Sequence, residues 1–253
     1  MSTSVPSIHQ HTLTLASYHC DRTDHLSLWG LCRIFQEASA YHTDPTPIGY
    51  AQLIAQDKAW VLIRMYYEIH TMPSMTDNVI VRTWSRGTDG LIATREFQLL
   101  DQQEHPLCSA TTHWVIIDTN SRRPVRATDH MAEFPSYPEP ATSRTTFSKL
   151  RLPDLSNIAP IASITAFDSL IDHTQHVNNA EYIRLIGDHL VPFVPVAPHS
   201  SPYNHMAFQI DYLVETQPAD TLSLHCLATP EAQHFLITNS KGKSAIASFS
   251  PLC

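Results

Sequence analysis

One pattern occurs twice along this 253-residue sequence and limits the folds that the chain can adopt. In each half a helix is predicted first, and about four strands follow, beginning roughly 30 residues after the helix starts. In the first half Ser27 can cap a helix whose apolar residues share one face, namely Leu28, Leu31, Phe35 and Ala38. Strands are predicted near 59–70, 78–85, 91–100 and 108–118, with turns at 87–90 and 101–104. Long strands joined by tight turns predict an antiparallel sheet.

The second half repeats this order after Asn178. Its strands are predicted near 206–214, 221–228, 234–238 and 244–249, and Ser240-Lys241-Gly242 marks the last hairpin turn. The stretch 134–161 is rich in Pro, Ser and Thr and has neither a helical nor an alternating pattern, which indicates a linker. We therefore expect the fold class α+β, with one unit at 1–133, a linker at 134–161 and a second unit at 162–253.

An acid, a histidine and two asparagines lie together at the start of the predicted second helix, between Asp172 and Tyr182. Apolar residues follow close to helical spacing at Val177, Ala180, Ile183, Ile186 and Leu190. Asn178 can cap this helix, and Glu181 would complete a capping box. A helix start presents free backbone N–H groups and the positive end of a dipole, which suits a developing oxyanion. From position alone, a turn with a satisfied polar pair fits these residues equally well.

Several classes of site are disfavoured by composition and spacing. Asp172, His173 and His176 carry possible metal ligands, but no further ligand lies at a recognisable spacing, so neither a metal nor a cofactor is expected. Five scattered cysteines without a Cys-x-x-Cys pair argue against a zinc ribbon or a disulfide framework. The formal net charge of −8 argues against general nucleic-acid binding. Gly-x-Ser-x-Gly is absent, and the six glycines form no phosphate-binding loop.

No stretch of the sequence has the character of a membrane span or a secretory signal. There is no run of about 18 apolar residues. Residues 1–10 lack both a basic start and an apolar stretch. We therefore expect a cytoplasmic protein.

The run His176-Val177-Asn178-Asn179, followed by Tyr182, resembles a motif of the acyl-ACP thioesterase family of bacteria and plastids. The family's pattern is Asp-x-Asn-x-His-Val-Asn-Asn-x-x-Tyr, in which Asp172 also fits, while Thr174 stands where the family has Asn. Further segments are similar to the family and occur in its order, at 60–64, 73, 81–84, 95–97, 114–118, 122–124 and 210–216. The resemblance extends from about residue 27 to about residue 215.

This resemblance implies two tandem hotdog units, each a long helix wrapped by an antiparallel sheet, with the two sheets side by side. It implies hydrolysis of the thioester of fatty acyl-ACP to free fatty acid and holo-ACP, in fatty acid biosynthesis, without a cofactor. In the family the second unit carries the catalytic residues, and the first shapes the acyl pocket.

The resemblance also implies roles for individual residues. Glu215, at the end of a Tyr-x-x-Glu segment, is the expected general base. His176 would orient the water or the substrate carbonyl, and Asp172 would hold the imidazole by a hydrogen bond. Either carboxylate is able to hold the water. The backbone N–H groups of Val177 and Asn178 would receive the oxyanion, and Thr174 is a further supporting position.

The implied partner is acyl carrier protein. Because that protein is acidic, the surface of this chain that docks it must be a local basic patch. Arg122, Arg123 and Arg126 are the best clustered candidates, although a solvated arginine face explains them equally well. Two other functions stay open. A hotdog enzyme acting on acyl-CoA would share the motif, and Thr174 in place of Asn favours a non-catalytic acyl-binding protein. The chain is expected to be a monomer or a homodimer.

Overall fold

The computed structural model describes residues 5–146, 148–155, 157–193, 196–197 and 200–252. Its helices are α1 (Leu28–Thr43), α2 (Tyr50–Ile54), α3 (Ala127–Met131) and α4 (Asn179–Gly187). Its strands are β1 (Ile8–Thr14), β2 (Lys58–Ile69), β3 (Asn78–Asp89), β4 (Ile92–Leu100), β5 (Pro106–Asp118), β6 (Pro124–Val125), β7 (Ala162–Thr165), β8 (Met206–Tyr212), β9 (Thr221–Ala228), β10 (Gln233–Asn239) and β11 (Gly242–Pro251). None of the described helices is both long and apolar enough to cross a membrane.

The strands form one antiparallel sheet in the order β1-β3-β4-β5-β2-β8-β11-β10-β9-β7, with β6 paired to β5. This order is symmetric about the β2–β8 pair, because β1, β3, β4, β5 and β2 correspond to β7, β9, β10, β11 and β8. The pairing of β2 with β8 runs from Arg64 opposite Asp211 to Ile69 opposite Met206. The two predicted sheets are therefore continuous, and the α+β prediction is confirmed.

The main apolar core lies between one face of this sheet and the two helices α1 and α4. A row of aromatic rings runs through it, with centroid distances of 4.9 Å for Phe97–Phe35, 5.8 Å for Phe35–Tyr67, 4.6 Å for Tyr67–Phe208, 4.7 Å for Phe208–Phe249 and 5.7 Å for Phe249–Phe235. Each such pair contributes about 0.5–1.5 kcal/mol beyond its burial. Because Tyr67 and Phe208 stack across the β2–β8 junction, the two halves share this core.

Both predicted helix caps are present. The Ser27 hydroxyl accepts a hydrogen bond of 2.9 Å from the Gly30 N–H at the start of α1. The Asn178 side chain accepts one of 2.8 Å from the Ala180 N–H at the start of α4. A cap satisfies a backbone donor that the helix itself leaves free, so both helix starts are determined locally.

The predicted capping box at Glu181 is wrong. The Glu181 carboxylate, which is 5% exposed, accepts hydrogen bonds from Trp29 (3.0 Å) and Arg33 (2.7 Å) of α1 and from Arg184 (2.6 Å). The Asn178 N–H, which the box would have used, donates to the Leu170 carbonyl instead. Glu181 therefore links α4 to α1 and does not cap the start of α4.

The second helix is shorter than predicted, with nine residues against 16 in α1. It ends at Gly187, so Leu190 lies beyond it. Pro192 follows closely, and a proline disfavours helical backbone in the residue before it. The short strands β1 and β7, which pair with β3 and β9, were not predicted. The turn expected at 87–90 is also shifted, because β3 continues to Asp89 past a register shift at Gly87.

The segment 134–161 contains no helix or strand among its described residues, but it is held firmly on the outer face of the sheet. It covers three buried carboxylates. The N–H groups of Ala141, Ser143 and Leu150 donate to Glu96 (3.1 Å), Glu68 (3.0 Å) and Asp211 (2.9 Å), respectively. A buried carboxylate without hydrogen bonds is costly, so this connection stabilises the sheet that it crosses.

Candidate active site

The loop before α4 is closed by its own side chains. The Asp172 carboxylate accepts hydrogen bonds from the Thr174 N–H (2.8 Å), the Thr174 hydroxyl (2.5 Å) and the Asn178 amide (3.3 Å). The Asp172 N–H donates to the His176 carbonyl at 3.0 Å, and Gln175 takes a positive φ of 66° at the tip. This turn directs the His176 ring out of the loop, and Asp172 braces it.

The imidazole of His176 contacts Glu215. Its Nε2 atom lies 3.0 Å from Oε2 of Glu215. The predicted hydrogen bond from Asp172 to this imidazole is not formed among the described residues, because Thr174 and Asn178 occupy that carboxylate. The acid beside the histidine is therefore the distant Glu215, which follows the end of β8.

A buried hydroxyl cluster fixes the backbone that carries Glu215. Thr216, 0% exposed, accepts a 2.9 Å hydrogen bond from Tyr182 of α4 and lies 2.8 Å from the Ser244 hydroxyl. The Thr216 carbonyl accepts from the Val177 N–H at 3.0 Å, which ties this segment to the histidine loop. Burial raises the pKa of the Tyr182 phenol, so it stays a neutral donor. Tyr182, identified only as a motif position, thus positions Glu215 through Thr216.

Arg122 forms an ion pair with the same Glu215 carboxylate. It lies in the turn after β5 with a positive φ of 59°. Of the three arginines expected to dock the carrier protein, Arg122 therefore belongs to the site, while Arg123 stands exposed beside it. Arg126, 70% exposed, is 3.9 Å from Asp129, a separation at which a surface ion pair contributes little.

The two backbone groups expected to receive an oxyanion are already used. The Val177 N–H donates to Thr216, and the Asn178 N–H donates to Leu170, each at 3.0 Å. Within the part of the chain that the structure describes, the N–H of Asn179 has no such partner. Asn179 is the first residue of α4 and lines the cavity next to the His176 loop. The backbone donor that is free at the start of α4 is therefore that of Asn179, and not those of Val177 and Asn178 as predicted.

These residues line a cavity of about 590 Å³. Ligand pockets range from about 300 to 1,000 Å³, so the space suits a small molecule or one acyl chain. Apolar side chains from both halves line it, among them Leu53, Trp60 and Trp114 from the first half and Val177, Leu213 and Val214 from the second. Asp172, His176, Asn179 and Glu215 line it from the second half. The described residues contain no group of three His, Cys, Asp or Glu side chains able to hold a metal.

The first half carries a second copy of the histidine loop without its acid. Thr23 donates to Asp21 through its N–H (2.8 Å) and its hydroxyl (2.5 Å), as Thr174 does to Asp172. The Asp21 N–H donates to the carbonyl of His25, and the next residue is tied to the carbonyl of Pro73. The residue that corresponds to Glu215 is therefore Met72. The Asp-x-Thr turn forms in both halves, and among the described residues the histidine that follows it pairs with a carboxylate in the second half only.

Comparison with known families gives one match along the first half. The sequence model of the acyl-ACP thioesterase N-terminal domain matches residues 6–134, just over half of the 253 residues.

Curated plant proteins are similar over a longer stretch. The chain is 25% identical over 231 residues to oleoyl-acyl carrier protein thioesterase 2, chloroplastic, of Arabidopsis thaliana, covering 85% of this chain and 61% of that protein. It is 26% identical over 184 residues to the oleoyl-acyl carrier protein thioesterase, chloroplastic, of Coriandrum sativum, covering 68% and 47%. The chain therefore spans less than two thirds of the length of these relatives.

Solved structures share the fold. An acyl-ACP thioesterase from Bacteroides thetaiotaomicron superposes with a TM-score of 0.81 at 22% identity, covering 96% of this chain and 97% of that one. The 12:0-ACP thioesterase from Umbellularia californica gives 0.80 at 18% identity, covering 97% and 98%. Both likenesses extend over the entire double arrangement and confirm the predicted hotdog fold.

Proposed function

The chain belongs to the acyl-ACP thioesterase family, and on that basis we propose that it hydrolyses the thioester of a fatty acyl group carried on acyl carrier protein. The products would be a free fatty acid and the holo-carrier. The observation that carries the proposal is the His176–Glu215 pair, 3.0 Å apart, in the wall of the 590 Å³ cavity. A carboxylate and an imidazole beside a cavity of this size supply the groups that activate water against an acyl carbonyl.

Glu215 is the general base in this proposal. It accepts a proton from a water molecule as the water oxygen bonds to the thioester carbon. The neighbouring His176 imidazole orients that water or the carbonyl by hydrogen bonding. The Glu215 side chain is 36% exposed and that of His176 19%, and both line the cavity, so a water molecule can reach them.

The tetrahedral oxyanion is placed at the start of α4. The Asn179 N–H is the free donor there, and the positive end of the helix dipole favours the same charge. When the carbon–sulfur bond breaks, the departing thiolate takes the proton that Glu215 received. The carboxylate is thereby restored, and no group beyond this chain and water is consumed.

Asp172 and Thr174 act in this scheme on the loop and not on the substrate. Both hydrogen bonds of Thr174 go to Asp172, so the threonine supports the turn at the position where the family pattern has an asparagine. The same turn at Asp21 and Thr23 shows that threonine is compatible with this geometry. A non-catalytic acyl-binding protein is therefore the weaker alternative.

The division of the chain forms part of the proposal. Residues 1–133 form the unit that shapes the acyl pocket, 134–161 the connection, and 162–253 the unit with the catalytic residues. Acyl carrier protein is the proposed partner, with Arg123 and Arg126 as its docking residues and Arg122 assigned to Glu215. A cytoplasmic location, and a monomeric or homodimeric state, are proposed as well.

The test is a hydrolysis screen over acyl-ACPs of graded chain length, with the matching acyl-CoAs in parallel and Glu215→Gln as the inactive control. We expect turnover of acyl-ACP that Glu215→Gln lacks. Faster turnover of acyl-CoA than of acyl-ACP would instead indicate a hotdog enzyme that acts on acyl-CoA. Tight binding of acyl chains with no turnover of either thioester would contradict the proposal and favour the acyl-binding alternative.

A further inference from the structure

The residue Glu215 lies in a segment that belongs to no helix or strand. The strand β8 ends at Tyr212, and the next strand, β9, begins at Thr221. Connecting segments are more mobile than the elements they join. A general base must meet its water molecule in one geometry, and a misplacement of about 1 Å is enough to slow a reaction strongly. The position of Glu215 therefore depends on contacts from outside its own segment.

The peptide of Glu215 is held by the side chain of Asn239, the last residue of β10. The Asn239 amide donates a hydrogen bond of 3.2 Å to the Glu215 carbonyl. The carbonyl before it accepts from the Ser244 hydroxyl at 2.6 Å, and the carbonyl after it accepts from the Val177 N–H at 3.0 Å. Among the side chains that the structure describes, only that of Asn239 donates to the peptide of Glu215 itself.

The orientation of the Asn239 amide is determined by its three partners. Its nitrogen donates to the Glu215 carbonyl and, at 3.0 Å, to the Thr216 hydroxyl. Its oxygen accepts from the Lys241 N–H at 2.8 Å. An amide nitrogen carries two hydrogens, and both are used here. Rotating the amide by half a turn would place oxygen against the Glu215 carbonyl, so only the observed orientation is satisfied.

The Thr216 hydroxyl connects Asn239 to the other groups that hold this segment. Its oxygen accepts from Asn239 and also from Tyr182, at 2.9 Å. The Ser244 hydroxyl donates its hydrogen to the Val214 carbonyl, so the 2.8 Å contact between Thr216 and Ser244 has Thr216 as its donor. Every donor in this chain of hydrogen bonds has an acceptor, and a fully satisfied network makes its members rigid.

We propose that Asn239 is a positioning residue of the reaction, whose amide holds the Glu215 peptide so that the carboxylate stays beside His176. The inference rests on the proposed function, in which Glu215 is the general base. Within the described part of the chain, Asn239 is not among the residues that line the cavity, whereas Glu215 is. Asn239 therefore acts through the base and makes no contact with the substrate.

A second asparagine, Asn204, offers a matched control in the first half. Met72 corresponds there to Glu215, and its N–H donates to the Asn204 side-chain oxygen at 2.8 Å. Both asparagines are half-buried, and each holds the backbone of the same loop position through its amide group. Met72 has no proton to accept, so loss of the Asn204 contact should affect stability alone.

The test compares Asn239→Ala with Asn204→Ala in steady-state assays on acyl-ACP. We expect Asn239→Ala to lower kcat by about tenfold or more while KM stays within about twofold, because only the placement of the base changes. Asn204→Ala should lower the urea midpoint of unfolding by a similar amount and keep kcat near the wild-type value. Equal losses of kcat in the two variants would overturn the inference, since they would reflect general destabilisation.

The variant Asn239→Asp separates this role from the formation of the last hairpin turn. Aspartate keeps the oxygen that accepts from the Lys241 N–H, and it favours such turns as asparagine does. An ionised carboxylate has no hydrogen to donate to Glu215 or Thr216. We therefore expect kcat of Asn239→Asp to fall as far as that of Asn239→Ala. A wild-type kcat in Asn239→Asp would show that the residue serves the turn alone and would overturn the inference.

A measurement without turnover distinguishes failure of this inference from failure of the proposed function. The NMR signals of the His176 ring, assigned by their loss in His176→Ala, report the carboxylate beside it. They should shift in Asn239→Asp and stay in place in Asn204→Ala. Shifted signals in a protein that hydrolyses no acyl-ACP would keep the positioning role and reject the thioesterase. Unchanged signals in Asn239→Asp, with hydrolysis by the wild type, would reject the positioning role and keep the thioesterase.

Discussion

The Nε2 atom of His176 lies 3.0 Å from the Oε2 atom of Glu215, although the two residues belong to separate loops of the second half. One loop precedes α4 and the other follows β8, and the backbone hydrogen bond from Val177 to Thr216 holds them together. The arrangement is specific to this half, because the equivalent loop around His25 faces Met72 instead of an acid.

His25 is the natural control for His176. We expect His176→Ala to lower kcat for acyl-ACP by roughly 10²-fold or more, as when a residue that positions a reacting group is lost. His25→Ala alters the same kind of loop without a neighbouring carboxylate, so it should leave kcat near the wild-type value. Equal losses in the two variants, measured with circular dichroism to verify folding, would mean that the histidine acts on structure alone.

Charge reversal separates Arg122 from its neighbour Arg123. Arg122→Glu places a carboxylate against Glu215, so we expect lower kcat on both acyl-ACP and a small thioester. Arg123→Glu should raise KM for acyl-ACP and spare the small substrate, because an exposed charge acts mainly on encounter with an acidic partner. The same steady-state assays on both substrates decide between these effects. Identical behaviour of the two variants would contradict the assignment of Arg122 to the site.

Removing the Thr174 hydroxyl should weaken the histidine loop. Thr174→Val loses the bond to Asp172, which we expect to lower the free energy of unfolding by about 1 kcal/mol and to lower kcat as well. Thr23→Val removes the matching bond to Asp21, so it should lower stability by a similar amount while kcat stays unchanged. Thr174→Asn should change kcat by no more than about threefold. An inactive wild type that Thr174→Asn activates would show that the asparagine side chain is needed.

The stability of the protein should fall as the pH drops from 6.5 to 4. Unfolded His42 takes up a proton near pH 6.5, whereas burial and Arg95 hold its pKa at about 4 in the folded protein. The unfolded state binds more protons across this window, so His42 lowers the free energy of unfolding by up to about 1.4 kcal/mol per pH unit. Urea unfolding of wild type and His42→Gln from pH 4 to 7 measures the effect. His42→Gln should flatten the slope, and parallel slopes would contradict the assignment.

The sequence correctly predicted those elements that depend on residues close together in the chain. The caps at Ser27 and Asn178 and the alternating strands follow from residues close together in the chain, and the structure agrees with them. The edge strands β1 and β7 were missed because they depend on pairing with β3 and β9, which are distant in sequence.

Contacts between side chains that are distant in the sequence could not be predicted from local patterns. Glu181 fits a capping box by spacing, but Trp29 and Arg33, about 150 positions earlier, occupy its carboxylate. Glu215 was assigned from a family motif, and its pairing with Arg122, 93 positions away, required the folded chain. The repeated Asp-x-Thr turn was visible in the sequence, since Asp21-Arg22-Thr23 matches Asp172-His173-Thr174, and it explains the unusual threonine.

The rate of acyl-ACP hydrolysis by Glu215→Gln tests the central claim most directly. Glutamine keeps the size of the side chain and one acceptor oxygen but accepts no proton from water, so kcat should fall by roughly 10²-fold or more. Glu104→Gln, which alters an exposed ion-paired glutamate away from the cavity, provides the control and should match wild type. Turnover by Glu215→Gln within a few-fold of wild type, with the fold intact, would contradict the assignment of Glu215 as the base that activates water.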